Sequence, residues 1–270
     1  MAYSFILFLL FLLGASVGSF LSVVIFRIQK NKGGIIFGNS FCPSCKKKLT
    51  SRDLIPILSF LLSRGKCRHC QKGISPYYLL LEISTGILFL AVYLHFPFLG
   101  LAIHDAFIFN TSLFIPFFFY TLYSVFFIAI FFYDLQTSKI PDIFLFSLLG
   151  ASIVGTLIMG SPEIWNIFVA ITLALVFYGG QIVLSKGKWL GEGDLYFALS
   201  LAVIFGWELF LVSTVVSYFI GAIVSTPLLI FKKVKKSTSV PFAPFLVIGA
   251  FITLFFGNEL LSWYVQTLIV

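Results

Sequence analysis

The sequence predicts an all-α polytopic membrane protein of about eight transmembrane helices, with a small zinc-stapled domain between helices 1 and 2. Three observations carry that prediction. The 270 residues are 60% hydrophobic and 19% aromatic, and the mean hydropathy is +1.07, whereas soluble globular chains are only about half apolar. The apolar residues fall in long runs near the ~20 residues that a bilayer crossing needs. All 18 Lys and Arg residues sit in four hydrophilic islands between those runs.

Taken in order, the predicted spans are 3–26, 77–99, 112–133, 143–160, 165–184, 195–207, 209–231 and 245–268. The first is not a cleaved signal peptide by pattern. It has no basic residue ahead of it, and its positive flank, Arg27 to Lys32, follows it, which suits an uncleaved anchor with its N-terminus outside. The first island, 27–76, carries Arg27, Lys30, Lys32, Lys46, Lys47, Lys48, Arg52, Arg64, Lys66, Arg68 and Lys72. Lys139 follows the third span, Lys186 and Lys188 the fifth, and Lys232, Lys233, Lys235 and Lys236 the seventh. The opposite loops hold Asp105, Glu163, Glu208 and Glu259 and no basic residue. Positive charge marks the cytoplasmic side, so both termini are expected outside and the islands inside. The +8 net charge is therefore a topological signal and gives no warrant for nucleic-acid binding. The expected division is a first transmembrane helix (1–26), a cytoplasmic zinc-binding domain (27–76) and a seven-helix membrane domain (77–270).

The island 27–76 holds all four cysteines, as Cys42-Pro-Ser-Cys45 and Cys67-Arg-His-Cys70. Two C-x-x-C turns each present two thiolates to one tetrahedral metal, and four thiolates fill the shell, so the expected zinc is structural. Two disulfides are the alternative, and a reducing cytoplasm disfavours them. His69 could replace one thiolate, but it reads more simply as an exposed loop histidine.

Asp134 closes the third apolar run and Asp194 closes Gly191-Glu192-Gly193-Asp194 ahead of the sixth. Carboxylates at the edge of a membrane helix are costly and mark function. Capping of a helix N-terminus accounts for Asp142 and is open to Asp194. It fails for Asp134, whose charge opposes the dipole at the C-terminal end of its own helix. Two such carboxylates brought together share a proton, one activating water and the other protonating a carbonyl oxygen, which is aspartic proteolysis. Glu192 and Asp142 are the substitutes for either member. His95 and His104 fall at the outer ends of spans and lack a nucleophile.

In order along the chain, Gly18-Ser-Phe-Leu-Ser-Val-Val-Ile-Phe-Arg27, the two C-x-x-C knuckles around Asp53-Leu-Ile-Pro-Ile-Leu-Ser59, Ile74-Ser75 through Glu82, Asp134 with Ile140-Pro-Asp142, the G-x-G-D of 191–194 and Val240-Pro-Phe-Ala-Pro-Phe245 resemble the type IV prepilin peptidases. These are bifunctional leader peptidase/N-methyltransferases. Ser22, Tyr77-Tyr78-Leu79, Gln136 and Tyr196 depart from that family's usual residues, and none touches the aspartate pair. The resemblance implies a multi-pass enzyme of the bacterial inner membrane that removes the leader of a prepilin or pseudopilin after a glycine at the cytoplasmic face. It further implies N-methylation of the new terminus from S-adenosylmethionine, with Asp134 and Asp194 catalytic and the zinc island contributing to methylation. From other classes, an ion-coupled transporter or channel and a zinc-stapled scaffold are the rivals. A transporter predicts carboxylates near mid-membrane and an internal repeat, and neither is visible.

Overall fold

The computed structural model describes residues 2–30, 38–101, 107–230 and 241–268. Lys32, the four lysines of 232–236, His104 and Asp105 lie outside the described residues. The chain divides into two compact units, Met1–Ala129 and Ile130–Val270.

In the first unit, α1 (Ala2–Gln29) and α3 (Pro76–His95) pack on one another. Small residues let them meet closely: a Cβ at Gly14 would stand 2.7 Å from the Thr85 carbonyl oxygen, and one at Gly18 would strike the Thr85 hydroxyl. In lipid, where apolar surface is not itself driven together, such close backbone approach is what associates helices. The island between them is built from two cysteine turns, a 3₁₀ turn (Ser51–Asp53) and the short α2 (Leu58–Leu62). Arg27, buried at the end of α1, donates to the Gly38 carbonyl at 3.0 Å and so ties the island's entry to the helix. Ser75 accepts from the Tyr77 amide and Pro76 occupies the first turn, the expected start signals for α3. The second span stops at His95, short of the expected 99. Leu99–Leu101 (β1) instead pairs antiparallel with Phe107–Phe109 (β2), a hairpin that alternation in so apolar a stretch did not signal.

The helix α4 (Thr111–Thr137) runs four residues beyond the expected 133 and ends where Ser138 turns left-handed at φ 51°. In the second unit follow α5 (Asp142–Met159), α6 (Ile164–Ala174), a π-helical turn (Leu175–Gly179), α7 (Gly180–Ser185), α8 (Glu192–Ile230) and α9 (Ala243–Leu268). α8 packs against α5, α6 and α9. Among the described residues, seven helices are long and apolar enough to cross a membrane. Their outward faces are as apolar as their cores, with Leu157, Ile164, Val183 and Leu184 each more than three-quarters exposed, as lipid-facing surfaces require.

The count of seven against the expected eight has a physical reason. α8 contains 39 residues, which as one straight helix would reach roughly 58 Å, about twice the hydrocarbon thickness. It is broken at Gly206, φ 70° and ψ −179°, a conformation essentially reserved for glycine. Gly206 sits against Pro162 and Asn166 at the start of α6. Beyond it, Thr214 and Tyr218 bond Tyr178 and Gln181 further along the same stretch. The polypeptide therefore turns back, and the expected spans 195–207 and 209–231 are the two arms of α8.

Candidate active site and metal centre

The two cysteine turns are copies of one another, displaced by 25 residues. The Cys42 amide donates to Lys47 O and the Lys46 amide to Cys42 O; the Cys67 amide donates to Lys72 O and the Gln71 amide to Cys67 O. The fifth residue of each, Lys46 and Gln71, is left-handed at φ 59° and 57°. Leu49 closes the first loop onto Ser40 as Ile74 closes the second onto Gly65. Each copy then runs into a helical turn through a hydroxyl residue. Ser75 caps α3, while Thr50 donates its amide and its hydroxyl to Asp53 Oδ2 at 3.0 and 2.7 Å.

This repetition brings four sulfur atoms within 4.8 Å of one another, Cys42 and Cys70 at 4.0 Å. All four thiols are free. A tetrahedral zinc with Zn–S of ~2.3 Å separates its sulfurs by about 3.8 Å, so the residues present fit such an ion. A disulfide of ~2.05 Å does not match this spacing. The site's field also prepares a thiolate. The Cys45 amide, outweighing burial and helped by Ser44, draws Cys42 down to about 7. At Cys70 the Lys72 amide pulls the other way, but desolvation and the three neighbouring thiols push it up to about 11. Thr50's hydroxyl and amide, with Arg68 at 3.4 Å, hold the Asp53 carboxyl below its usual range. His69 is exposed and does not join the cluster.

In the second unit, Asp134 occupies the last turn of α4 and is 4% exposed. Its carboxylate lies near the backbone N–H of Ala243, the first residue of α9. Pro244, which has no N–H of its own, follows. The positive end of the α9 dipole therefore faces the charge that the C-terminus of α4 disfavours. The charge that its own helix end disfavours thus faces the start of another helix. That placement accounts for only part of the group, because Asp134 Oδ2 is buried without a hydrogen-bond partner. An orphaned carboxylate oxygen in a desolvated position calls for an explanation.

Asp194 is the third residue of α8, and its Oδ2 accepts from the Gly191 amide at 3.1 Å while the Asp194 amide donates to Gly191 O. It thus caps its own helix, as the simpler reading expects, and it also lies close enough to Asp134 for the charges to interact. Gly193 lets the two strands of this site meet: a Cβ there would stand 3.3 Å from the Ile140 side chain. The two named substitutes are displaced, Asp142 being exposed in the first turn of α5 and Glu192 exposed at the start of α8.

Sequence reasoning missed Tyr178 and Tyr218. Both lie within electrostatic reach of Asp194. Tyr178 bonds Thr214 at 3.3 Å and Tyr218 shares bonds with Gln181, all beside the π-helical turn, a feature frequent at functional sites. Their signal was polar atoms inside apolar runs, which abundant tyrosine obscured. Glu82, which the sequence marked only as the end of the motif beginning at Ile74, is buried in α3 and accepts the Ile57 amide at 2.7 Å. His95 ends α3 and is not part of the cysteine cluster.

Residues 12–96 match the sequence model of the bacterial peptidase A24 N-terminal domain, and residues 121–226 that of the type IV leader peptidase family. The first match contains the cysteine island and Glu82; the second contains both aspartates. The chain is 25% identical to a prepilin leader peptidase/N-methyltransferase of Aeromonas salmonicida, over 97% of this chain and 94% of the relative. It is 27% identical to one from Bacillus subtilis, over 96% and 97%. A third, from Klebsiella pneumoniae, is 46% identical over 33% of this chain and 41% of its own. No solved structure matches. Two adjoining domains of one family, in order and spanning most of the sequence, leave a single reading: this multi-pass membrane protein belongs to the type IV leader peptidase family.

Proposed function

We propose that the protein cleaves the leader from type IV prepilins or pseudopilins with Asp134 and Asp194 as its catalytic pair, and methylates the amine so exposed. The relatives carry both activities in their names. The observation that carries the peptidase reading is the buried Asp134 carboxylate, with one oxygen unpartnered, facing a helix N-terminus and in electrostatic contact with Asp194.

In this reading the pair holds one proton between its two carboxylates. The ionised member removes a proton from water, whose oxygen attacks the scissile carbonyl carbon as the protonated member gives its hydrogen to the carbonyl oxygen. Collapse of the tetrahedral intermediate breaks the C–N bond, and the departing amine recovers a proton from the first carboxyl. Ala243 N–H orients Asp134, and Gly191 N–H orients Asp194. Tyr178 and Tyr218 border the site without contacting the transferred proton.

The basic islands argue that both sites open to the cytoplasm, with the termini outside and the bilayer being the inner membrane of a bacterium. A prepilin suits this placement, because its basic leader stays in the cytoplasm while its apolar helix enters the membrane; cleavage after the leader's final glycine falls near the inner surface. Cys42, Cys45, Cys67 and Cys70 are proposed to hold a structural zinc that staples the cytoplasmic domain 27–76, and S-adenosylmethionine supplies the methyl group. Co-expression with a prepilin and mass spectrometry of the product test both activities at once. Leader loss and an added methyl group are separate mass changes, and an unprocessed substrate with the wild-type enzyme would refute the proposal.

A further inference from the structure

Beneath the cysteine turns lies a cavity of about 440 Å³, enclosed by α1, the island and α3 within the first unit. Its volume falls in the ~300–1,000 Å³ range of small-molecule sites. Ser19 and Ser22 of α1 line it together with Glu82 of α3. Phe26, Phe60 and Tyr78 supply aromatic surface, and the rim carries Lys66 and Arg68.

Glu82 is 8% exposed and lies about 9 Å into its helix from Pro76 by helical rise. Burial of a carboxylate at that depth is costly, and the aspartyl peptidase chemistry makes no use of it. What Glu82 does in the structure is hold the Ile57 amide. Ile57 is a β-branched residue at φ 63°, ψ −53°, and the Leu58 amide bonds back to Pro56 O at 2.5 Å. This is the rare and strained form of the γ-turn, which persists only where its surroundings over-determine it. A buried anion and a strained loop are thus clamped together at the wall of a cavity that aromatic and cationic side chains also line.

We propose that this cavity is the binding site for the methyl donor, an adenosyl sulfonium amino acid, with Glu82 facing its cationic end. The inference rests on the methyltransferase part of the function proposed above. The purine fits the aromatic walls, the ammonium and sulfonium charges fit the Glu82 end, and the donor's carboxylate fits the Lys66 and Arg68 rim. In the transfer, the carbon–sulfur bond breaks with its electrons left on sulfur as a thioether. The lone pair of the substrate's terminal amine forms the new N–CH₃ bond, and that nitrogen's proton passes to water. Glu82 also links occupancy to the Pro56-Ile57-Leu58 turn, so filling the cavity orders α2.

The test is equilibrium binding of tritiated S-adenosylhomocysteine to the purified full-length protein in detergent, for wild type, Glu82→Gln and Ser59→Trp. Ser59 lines the cavity from α2, and tryptophan there fills it. Both variants are expected to bind about tenfold or more weakly, the scale of losing a charged hydrogen bond or the cavity itself. Zinc content and thermal unfolding serve as folding controls. Where a variant fails those controls, hydrogen exchange of the wild-type chain decides, with slowed exchange over 54–63 and 78–82 on adding ligand as the expected result. Wild-type-like binding by both variants, or unchanged exchange there, overturns the cavity assignment while methylation itself stands. A wild-type protein that neither binds the ligand nor methylates its product removes the methyltransferase reading as well.

Discussion

Replacing Asp134 by Asn separates its chemical role from its structural one. The amide oxygen still faces the Ala243 N–H at the start of α9, whereas the carboxylate that holds or receives a proton is gone. General acid–base catalysis contributes typically ~10²–10⁴-fold, so the variant's cleavage should fall by that factor, about 2.7–5.4 kcal/mol of barrier. Its stability should change in the opposite sense or not at all. The charge and the orphaned Oδ2 are removed, and an unsatisfied buried polar atom costs about 1–3 kcal/mol; the amide nitrogen placed there can offset that gain. Asp134→Ala, by contrast, leaves Ala243 uncapped and should lose about 0.5–2 kcal/mol. The assay pairs single-turnover cleavage of a prepilin in detergent, read by mass, with thermal unfolding of the same preparations. The expected order is wild type well above both variants in rate, with Asn at or above wild type in stability and Ala below. Cleavage by Asp134→Asn within tenfold of wild type, in protein that unfolds normally, would falsify the assignment.

Elemental analysis of the purified protein should give about one zinc per chain, falling to none in Cys42→Ser, with methylation lost and cleavage largely kept; four cysteines found oxidised in cells would instead refute the metal site. Stripping the metal with a strong chelator should expose the island 38–75 to proteolysis before the helices, because that segment is too small to hold itself together by apolar burial; equal cleavage rates with and without metal would contradict this. Gly206→Ala should cost about 1–3 kcal/mol, since φ 70° is retained only with strain and the new methyl meets Pro162 at 3.0 Å; unaltered thermal unfolding would show that the turn adapts. Gly193→Val should slow cleavage more than Gly193→Ala, as the Ile140 side chain 3.3 Å away yields to a methyl group but not to a branched one, and equal rates for the two variants would argue against close packing at the aspartate turn.

Several features were legible because their causes are local. The helix count follows from run length, and the start of α3 from Ser75-Pro76. The cysteine turns could be read because C-x-x-C spacing already fixes two sulfurs per loop. The break in α8 was half legible: Glu208 interrupts the apolar run, but the turn sits two residues earlier, where only glycine takes the conformation. The hairpin at 99–109 was hidden because its residues are as apolar as the spans beside it. All four acids flank apolar runs, so sequence could not give their burial; in the structure Asp142 and Glu192 are exposed and Asp134 is buried.

By itself the sequence determined that this chain lives in a bilayer, which loops carry the basic charge, and which cysteines and acids stand where chemistry is affordable, because hydropathy, charge and spacing act over a few neighbouring residues. Only the tertiary structure decided that Asp134 meets the free N–H at the head of α9, that Asp194 comes within its field, and that two copies of one cysteine turn close a four-sulfur cluster. Those outcomes depend on backbone groups and side chains far apart in the chain, and no local pattern encodes which helix end a buried carboxylate will find.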